Sequence, residues 1–233
     1  MMDTIDIVIT STSRPALLQR TVKSMQEKLK FSGKFRWLLH EDCLNLNKSA
    51  ETLHWAKYSN MFDKIIMSNP RRGLGLSIYD MFQHIESMFF FRSDDDWEYV
   101  KAIDVDKIFN LFIKHKDINQ VILNKNSIDE YKREFKRVDF LFDDVQLTLC
   151  NQWGWIPAFW RKSFVVNKYE PSGYGNNISF LDELKNGIIR DEQWYRCNMG
   201  AYFLGAIGSE GKEIKHIGGD SRSLNNGGTF GIY

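Results

Sequence analysis

A short aromatic run that ends in three carboxylates constrains the fold more than any other feature of the sequence. Residues 88–91 are apolar, as in a strand covered on both faces, and the acidic triplet Asp94-Asp95-Asp96 follows after Arg92 and Ser93. Adjacent carboxylates repel one another, so a cluster at the end of a buried strand indicates that a cation normally lies beside it. The alternative is a solvated acidic turn that caps a following helix.

Strands and helices alternate over about the first hundred residues. The predicted elements are strands at residues 5–10, 35–39, 64–67 and 88–91, a helix from Pro15 to near Gly33, and a helix through Tyr79, Phe82 and Ile85. This alternation predicts an α/β fold, with a mostly parallel central sheet flanked by helices. Ligands bind such a sheet beyond the carboxyl ends of its strands. A polar segment follows each of the four predicted strands, which places the candidate residues at that edge.

The second half is less regular. Its predicted elements are a helix at residues 104–116, strands at 120–123 and 145–149, a helix at 191–199, and strands at 202–207 and 213–217. Residues 218–233 are rich in Gly, Ser and Asn, so they bury little, and we expect a mobile tail unless a ligand orders it. We find neither an internal repeat nor a linker, and we expect a single domain.

Composition limits the class of protein. The 233 residues are 43% hydrophobic, which is enough for a sizeable core. With 31 basic and 30 acidic residues, the chain has no overall attraction for nucleic acid or an anionic membrane. The three cysteines, Cys43, Cys150 and Cys197, lack metal-site spacing and fit reduced thiols. No secretory signal or transmembrane span is evident, so we expect a cytoplasmic protein.

The motifs, in their order along the chain, resemble those of GT-A fold glycosyltransferases of the large family-2-like group. The matching segments are the first strand and nucleotide loop at residues 7–15, the acidic turn His40-Glu41-Asp42, the loop Arg71-Arg72-Gly73-Leu74-Gly75, the Asp-x-Asp pattern of the acidic triplet, the pair Asp191-Glu192 and the strand end His216-Ile217-Gly218-Gly219. Two departures stand beside them. Residues 76–80 read Leu-Ser-Ile-Tyr-Asp where many relatives carry Ala-Arg-Asn, and the short second half lacks an extended acceptor module.

The resemblance implies a domain organisation and a reaction. Residues 1–100 form the nucleotide-sugar-binding half, residues 101–217 the acceptor-side half, and residues 218–233 a flexible tail. The implied reaction is transfer of a hexose from a nucleotide diphosphate sugar, a UDP-sugar by resemblance, to a hydroxyl acceptor. The acceptor could be a glycan, a lipid, a protein or a modified nucleic acid.

The implied cofactor is Mn²⁺ or Mg²⁺. Asp94, Asp96 and His216 are the expected metal ligands, with Asp96 the most direct, because carboxylate oxygens suit both ions and an imidazole nitrogen favours Mn²⁺. Asp94 is also expected to face the ribose or to reach the metal through water. Asp95 is expected to contact the donor sugar.

Other residues are expected to bind the nucleotide. Thr10 and Thr12 can hydrogen-bond the base or ribose, although they serve equally well as helix caps. Further candidates are Glu41 or Asp42 on the ribose or uracil, and Arg14 and Arg71 or Arg72, with Gly73, on the phosphates. The alternative for each arginine is an ordinary surface residue.

An inverting enzyme also needs a general base for the acceptor hydroxyl, and such a base contributes about 10²–10⁴-fold in rate. Asp191 or Glu192 is the candidate, although both could instead stabilise the first turn of a helix. Trp153, Trp155 and Trp194 could stack on sugars or pack in the core.

Two other functions compete with the transferase. A sugar nucleotidyltransferase would carry a glycine-rich loop after the first strand, and residues 10–13 contain no glycine. A non-catalytic carbohydrate- or nucleotide-binding protein on a degenerate transferase fold would bind ligand without turnover.

Overall fold

The computed structural model describes residues 4–125, 139–150, 156–166, 168–169, 178–179, 182, 185, 200–205 and 212–218. Within them, a nine-stranded sheet forms the centre of the molecule. In chain order the elements are β1 (Thr4–Ser11), α1 (Pro15–Lys28), β2 (Leu29–Lys30), β3 (Lys34–Asp42), α2 (Leu46–Tyr58), β4 (Lys64–Ser68), α3 (Leu74–Phe82), β5 (Phe89–Asp94), β6 (Trp97–Tyr99), β7 (Ile103–Asp104), α4 (Val105–Lys114), β8 (Gln120–Ile122), β9 (Asp139–Phe142), β10 (Val145–Cys150), β11 (Ala158–Arg161), α5 (Lys162–Val166), β12 (Lys168–Tyr169), β13 (Ile178–Ser179), β14 (Ala201–Leu204) and β15 (Ile214–His216).

The first half of the sheet is parallel. Strands β4, β3, β1 and β5 lie side by side in that order, and each neighbouring pair is parallel. Their carboxyl ends therefore meet at one edge, where Ser11 lies opposite Glu41 and Thr10 lies opposite Asp94. This edge is the one at which the sequence predicts a ligand site.

The second half of the sheet is mixed. Strand β11 is antiparallel to β5 and β8, β14 is parallel to β8, and β10 and β9 complete the sheet as antiparallel neighbours. Of the nine strands in this described sheet, β10 and β11 run against the rest, so the predicted mostly parallel sheet is confirmed. The carboxyl ends of β8 and β14 consequently lie at the same edge as the acidic triplet.

Successive side chains of β1 and β5 point alternately to the two faces of the sheet, and each face has a hydrophobic core. Ile7, Ile9 and Phe91 pack with residues of α1 and α4 on one face, and Val8 and Phe90 pack with residues of α3 and α5 on the other. Successive side chains of a strand point to opposite faces, so a strand covered on both sides reads as a continuous apolar run. Each such side chain contributes roughly 1.5–3 kcal/mol relative to an exposed one.

Two polar segments that the sequence suggests are turns are buried, one in a strand and the other where one strand leads into the next. Strand β3 continues to Asp42, so the expected turn at residues 40–42 is wrong: all three side chains belong to the strand and are buried. Strand β5 continues to Asp94, and Asp95 and Asp96 form the turn that follows it. Counted over backbone and side chain together, each residue of the triplet is at most 8% exposed. Strand β6 follows the triplet, so a solvated turn that caps a helix does not describe it.

The predicted helices and strands are mostly present with different ends. Helix α1 stops at Lys28, where the chain turns into β2, and α3 stops at Phe82. The sequence did not indicate α2, β9 or β11. Helix α2 begins after Asn45, whose side chain accepts a hydrogen bond from the backbone N–H of Lys48 at 3.1 Å. The predicted helix at residues 191–199 and the tail beyond Gly218 lie outside the described residues.

The structure bears on the membrane-spanning helices and on the cysteines. In the part of the chain that the structure describes, no helix has the length and apolar character needed to cross a bilayer. Cys43 is a buried free thiol.

Candidate functional site

Asp94 ends β5 beside the end of β1. Its Oδ1 accepts a hydrogen bond from Thr10 Oγ1 at 2.5 Å and another from a terminal nitrogen of Arg92. Arg92 is itself buried, at 1% exposure, and lies in the otherwise aromatic strand. The side chain of Asp94 is 12% exposed, the largest value in the triplet. Asp94 is therefore the carboxylate most open to a ligand, and its charge has an internal partner.

Asp95 holds the loop that follows β1. Its Oδ2 accepts hydrogen bonds from Ser11 Oγ and from the Thr12 backbone N–H, both at 3.0 Å. The guanidinium of Arg14 spans both carboxylate oxygens, with Nε 3.1 Å from Oδ2. The Asp95 side chain is fully buried. Its carboxylate thus faces the loop and Arg14.

Asp96 lies under the segment that follows β15. Its Oδ2 is 2.8 Å from a terminal nitrogen of Arg14 and 3.3 Å from Nε2 of His216. The backbone N–H of Ile217 donates to the Asp96 carbonyl at 2.9 Å. Strands β6 and β15 pair antiparallel with Trp97 opposite His216, which brings this segment to the triplet.

Two arginines offset most of the charge of the triplet. Arg14 and Arg92 bring two positive charges against three carboxylates, so one negative charge remains in excess when His216 is neutral. Burial lowers the pKa of Arg14, but the carboxylates of Asp95 and Asp96 raise it more, and the pKa is raised overall. Arg14 is therefore a permanent cation at this edge.

Asp96 and His216 have the chemistry of a manganese site. They bring a carboxylate oxygen and an imidazole nitrogen to one point, and Mn²⁺ accepts both kinds of ligand. Oδ1 of Asp94, the third expected ligand, is directed at Thr10 and Arg92. No three His, Cys, Asp or Glu side chains form a metal-binding group among the residues that the structure describes. Asp96 and His216 therefore supply two ligand types that such a metal accepts.

Glu41 lies beneath the first loop and fixes its shape. The carboxylate is fully buried, and its Oε1 accepts hydrogen bonds from the Ser13 backbone N–H and from Ser49 Oγ, both at 2.6 Å. Ser13 has a φ of 51°, in the left-handed region that few side chains favour. Glu41 thus supports the turn that directs Arg14 toward the triplet.

Asp42 holds the second loop. Its two oxygens accept hydrogen bonds from the backbone N–H groups of Arg72 at 2.7 Å and Gly73 at 2.9 Å, and Arg71 Nε lies 3.4 Å from Oδ2. Gly73 precedes α3 with a φ of 86°, which explains the glycine. Arg72 also contacts Asp80 at 2.5 Å. Both arginine side chains remain at least one-third exposed at the sheet edge.

His40 is a buried residue of this edge that the sequence did not single out as a separate candidate. It lies 3.1 Å from Ser68 Oγ and 3.6 Å from Asp80. Burial lowers the pKa of His40, against the opposing effect of the nearby carboxylates of Asp42 and Asp80. His40 is therefore neutral at neutral pH and supports the position of the second loop.

The structure brings most of the expected site residues to one edge. These are Thr10, Thr12, Arg14, Glu41, Asp42, Arg72, Gly73, Asp94, Asp95, Asp96 and His216. Asp191 and Glu192, with Trp153, Trp155 and Trp194, lie outside the described residues. Arg92 was not expected here, although a charged residue inside an aromatic strand was a visible signal.

Comparison with known proteins identifies the fold. No protein-family model and no curated protein matches the sequence. Solved structures do match. GalNAc-T7 with UDP, GalNAc and Mn²⁺ is 12% identical over 91% of this chain and 43% of its own, with a TM-score of 0.58. TarS of S. aureus, residues 1–349 in complex with UDP-GlcNAc, is 10% identical over 88% of this chain and 57% of its own, with a TM-score of 0.52.

A third structure is the mannosyltransferase PcManGT from Pyrobaculum calidifontis in complex with GDP-Man and Mn²⁺. It is 10% identical over 69% of this chain and 45% of its own, with a TM-score of 0.50. This chain spans about half the length of the structures it matches. At these identities the likeness is one of architecture, and it agrees with the mixed sheet described above. The chain has the GT-A fold of glycosyltransferases.

Proposed function

We propose that the chain is a metal-dependent glycosyltransferase that moves a hexose from a nucleotide diphosphate sugar to a hydroxyl acceptor. The observation that carries the proposal is the meeting of Asp96, His216 and Arg14 at the carboxyl edge of a GT-A sheet. An oxygen, a nitrogen and a fixed cation at one point suit a metal-bound diphosphate. The ligands of the matched structures, UDP-GlcNAc, UDP and GDP-Man, support this donor class.

The donor site is proposed to lie between the two loops. Thr10 and Asp94 are at the end of the central strands, where the partly open carboxylate can meet a ribose. Asp42 carries the loop with the exposed guanidiniums of Arg71 and Arg72. We infer that these arginines bind the phosphates and that the base lies near Asp42, with uracil favoured by resemblance.

Asp96 and His216 would hold Mn²⁺ or Mg²⁺. When bound, the metal would neutralise the charge that develops on the diphosphate as the sugar–oxygen bond breaks. Asp95 and Glu41 act through the loop: they orient Arg14 and the Thr12 backbone rather than meet the ligand.

The acceptor is proposed to approach from the half of the edge formed by β8 and β14. Asp191 or Glu192 is the proposed general base for its hydroxyl in an inverting reaction. The acceptor class stays open among a glycan, a lipid, a protein and a modified nucleic acid.

One observation favours the second candidate, a non-catalytic binding protein. Arg14 and Arg92 already neutralise most of the triplet, which weakens its attraction for a free cation. Such a protein would bind a nucleotide sugar and release no nucleotide diphosphate.

Turnover distinguishes the two candidates. The natural protein would be incubated with Mn²⁺ and single donors, among them UDP-glucose, UDP-GlcNAc and GDP-mannose, and nucleotide diphosphate release would be followed by chromatography. We expect release with one donor that stops with EDTA and in Asp96→Asn. Asp106→Asn, a matched change at a half-buried carboxylate of α4 that accepts a hydrogen bond from Ser32, should leave release unchanged. Donor binding without release, across a panel of hydroxyl acceptors, would support the binding protein.

A further inference from the structure

We propose that Arg14 is an exchangeable counter-ion that holds Asp96 until a diphosphate arrives and thereby couples metal binding to nucleotide binding. This inference rests on the proposed function and assigns to the same site a form of control. Arg14 acts as a positioning residue, since its effect on the metal passes through Asp96.

The two contacts of Arg14 differ in strength. Nε and one terminal nitrogen grip Asp95, which is fully buried and also accepts hydrogen bonds from Ser11 and Thr12. The other terminal nitrogen makes a single contact with Asp96, at 2.8 Å. A bidentate grip is stronger than a single hydrogen bond. The contact with Asp96 is therefore the one that a competing anion can replace while the guanidinium stays on Asp95.

Arg14 also lies where a ligand can reach it. Its side chain is 16% exposed, whereas Arg92, the other arginine of the triplet, is 1% exposed. Arg14 immediately precedes α1, and its side chain forms no cap hydrogen bond with that helix. Arg92 is thus a permanent partner of Asp94, and Arg14 has one nitrogen available for exchange.

One oxygen of Asp96, Oδ2, lies next to both Arg14 and His216. Oδ2 contacts Arg14 and lies 3.3 Å from His216 Nε2, the position at which a metal would join the pair. A metal alone must compete with the guanidinium for this oxygen. A diphosphate that takes the nitrogen of Arg14 releases the oxygen, so each ligand should strengthen the binding of the other.

This mechanism predicts opposite effects on two affinities. In Arg14→Gln the competing cation is lost and the net charge of the site becomes more negative by one, so Mn²⁺ alone should bind more tightly than to the natural protein. UDP should bind more weakly, because a phosphate contact is lost. The factor by which UDP tightens Mn²⁺ binding should fall, by roughly 5- to 100-fold if Arg14 carries the coupling.

The experiment measures Mn²⁺ binding by electron paramagnetic resonance, with and without UDP, in the natural protein, Arg14→Gln and Arg20→Gln. Arg20 is the matched control: it lies on α1 and pairs with Glu98 at the surface, and its loss should leave both affinities unchanged. If Arg14→Gln does not fold, Arg14→Lys is measured in its place. Lysine keeps the charge but has no fork with which to hold two carboxylates, so Mn²⁺ alone should again bind more tightly.

Two results would overturn the inference. If Mn²⁺ alone binds equally or more weakly in the folded Arg14 variants, while the natural protein binds Mn²⁺ and UDP together, the exchange is wrong and the proposed function stands. If the natural protein binds neither, the proposed function fails, and the exchange fails with it.

Discussion

Gly218 lies directly against the carboxylate of Asp96. A Cβ atom at position 218 would be 2.5 Å from Asp96 Oδ2 and 2.9 Å from the Cβ of Asp96, closer than folded proteins tolerate. The Ile217 backbone N–H, one residue earlier, is bonded to the Asp96 carbonyl. The absence of a side chain at Gly218 therefore lets the segment after β15 lie against Asp96.

Gly218→Ala should separate this segment from Asp96. We expect His216 to move away from Asp96 and the affinity for Mn²⁺ in the presence of UDP to fall about tenfold, the equivalent of 1.4 kcal/mol. Calorimetric titration of Mn²⁺ into the UDP-saturated protein measures this. Lys215→Ala, at an exposed position on β15, is the control. An unchanged affinity in Gly218→Ala would show that the close approach is not needed.

Glu41 should control stability and nucleotide binding together. Glu41→Ala leaves the Ser13 backbone N–H buried without its acceptor, which costs about 1–3 kcal/mol in the free energy of unfolding. The loosened loop should also weaken UDP binding, because the loop directs Arg14. Glu41→Gln keeps one acceptor oxygen and should lose less of both. Urea unfolding and UDP titration of the two variants provide the measurements. If Glu41→Ala loses stability but binds UDP as tightly as the natural protein does, Glu41 has no role in nucleotide binding.

Much of this edge was predictable because buried parallel strands are apolar runs and polar segments follow them. Strands β1 and β5 and the meeting of their carboxyl ends follow from that pattern. The burial of Glu41 does not, since a polar side chain usually indicates a turn, and its hydrogen bonds come from Ser13, in the loop before α1, and from Ser49 on α2. The pairing of Arg14 with Asp95 is a contact between residues far apart in the sequence, which periodicity does not reveal.

The opposite edge of the sheet contains a carboxylate that should control acid stability. Asp6 is buried, and burial raises its pKa, but hydrogen bonds from Arg36, Ser87 and the Glu86 backbone lower it more, so the pKa falls below the model-compound value of 3.8. A carboxyl group whose pKa is lower in the folded state stabilises the fold above the unfolded-state pKa. This contribution is lost as the pH falls through the folded-state pKa.

Asp6→Asn should consequently lower the free energy of unfolding at pH 7 by about 1–3 kcal/mol, because it removes the charge that pairs with Arg36 and one of the two oxygens that accept hydrogen bonds here. Below about pH 4, the free energy of unfolding should also fall less steeply with decreasing pH in Asp6→Asn than in the natural protein. Urea unfolding at a series of pH values from 7 to 3 measures both. Equal slopes below pH 4 in the two proteins would contradict the assignment of this acid sensitivity to Asp6.

The most direct test of a metal-dependent nucleotide site is calorimetric titration of UDP with and without Mn²⁺, on the natural protein and on Asp96→Ala. We predict that UDP binds the natural protein in the presence of Mn²⁺, binds much more weakly without it, and loses the metal-dependent part of its affinity in Asp96→Ala. Asp106→Asn should behave as the natural protein does. An affinity for UDP that changes neither with Mn²⁺ nor with the Asp96 substitution would contradict a metal site at the acidic triplet. The absence of UDP binding would contradict it as well.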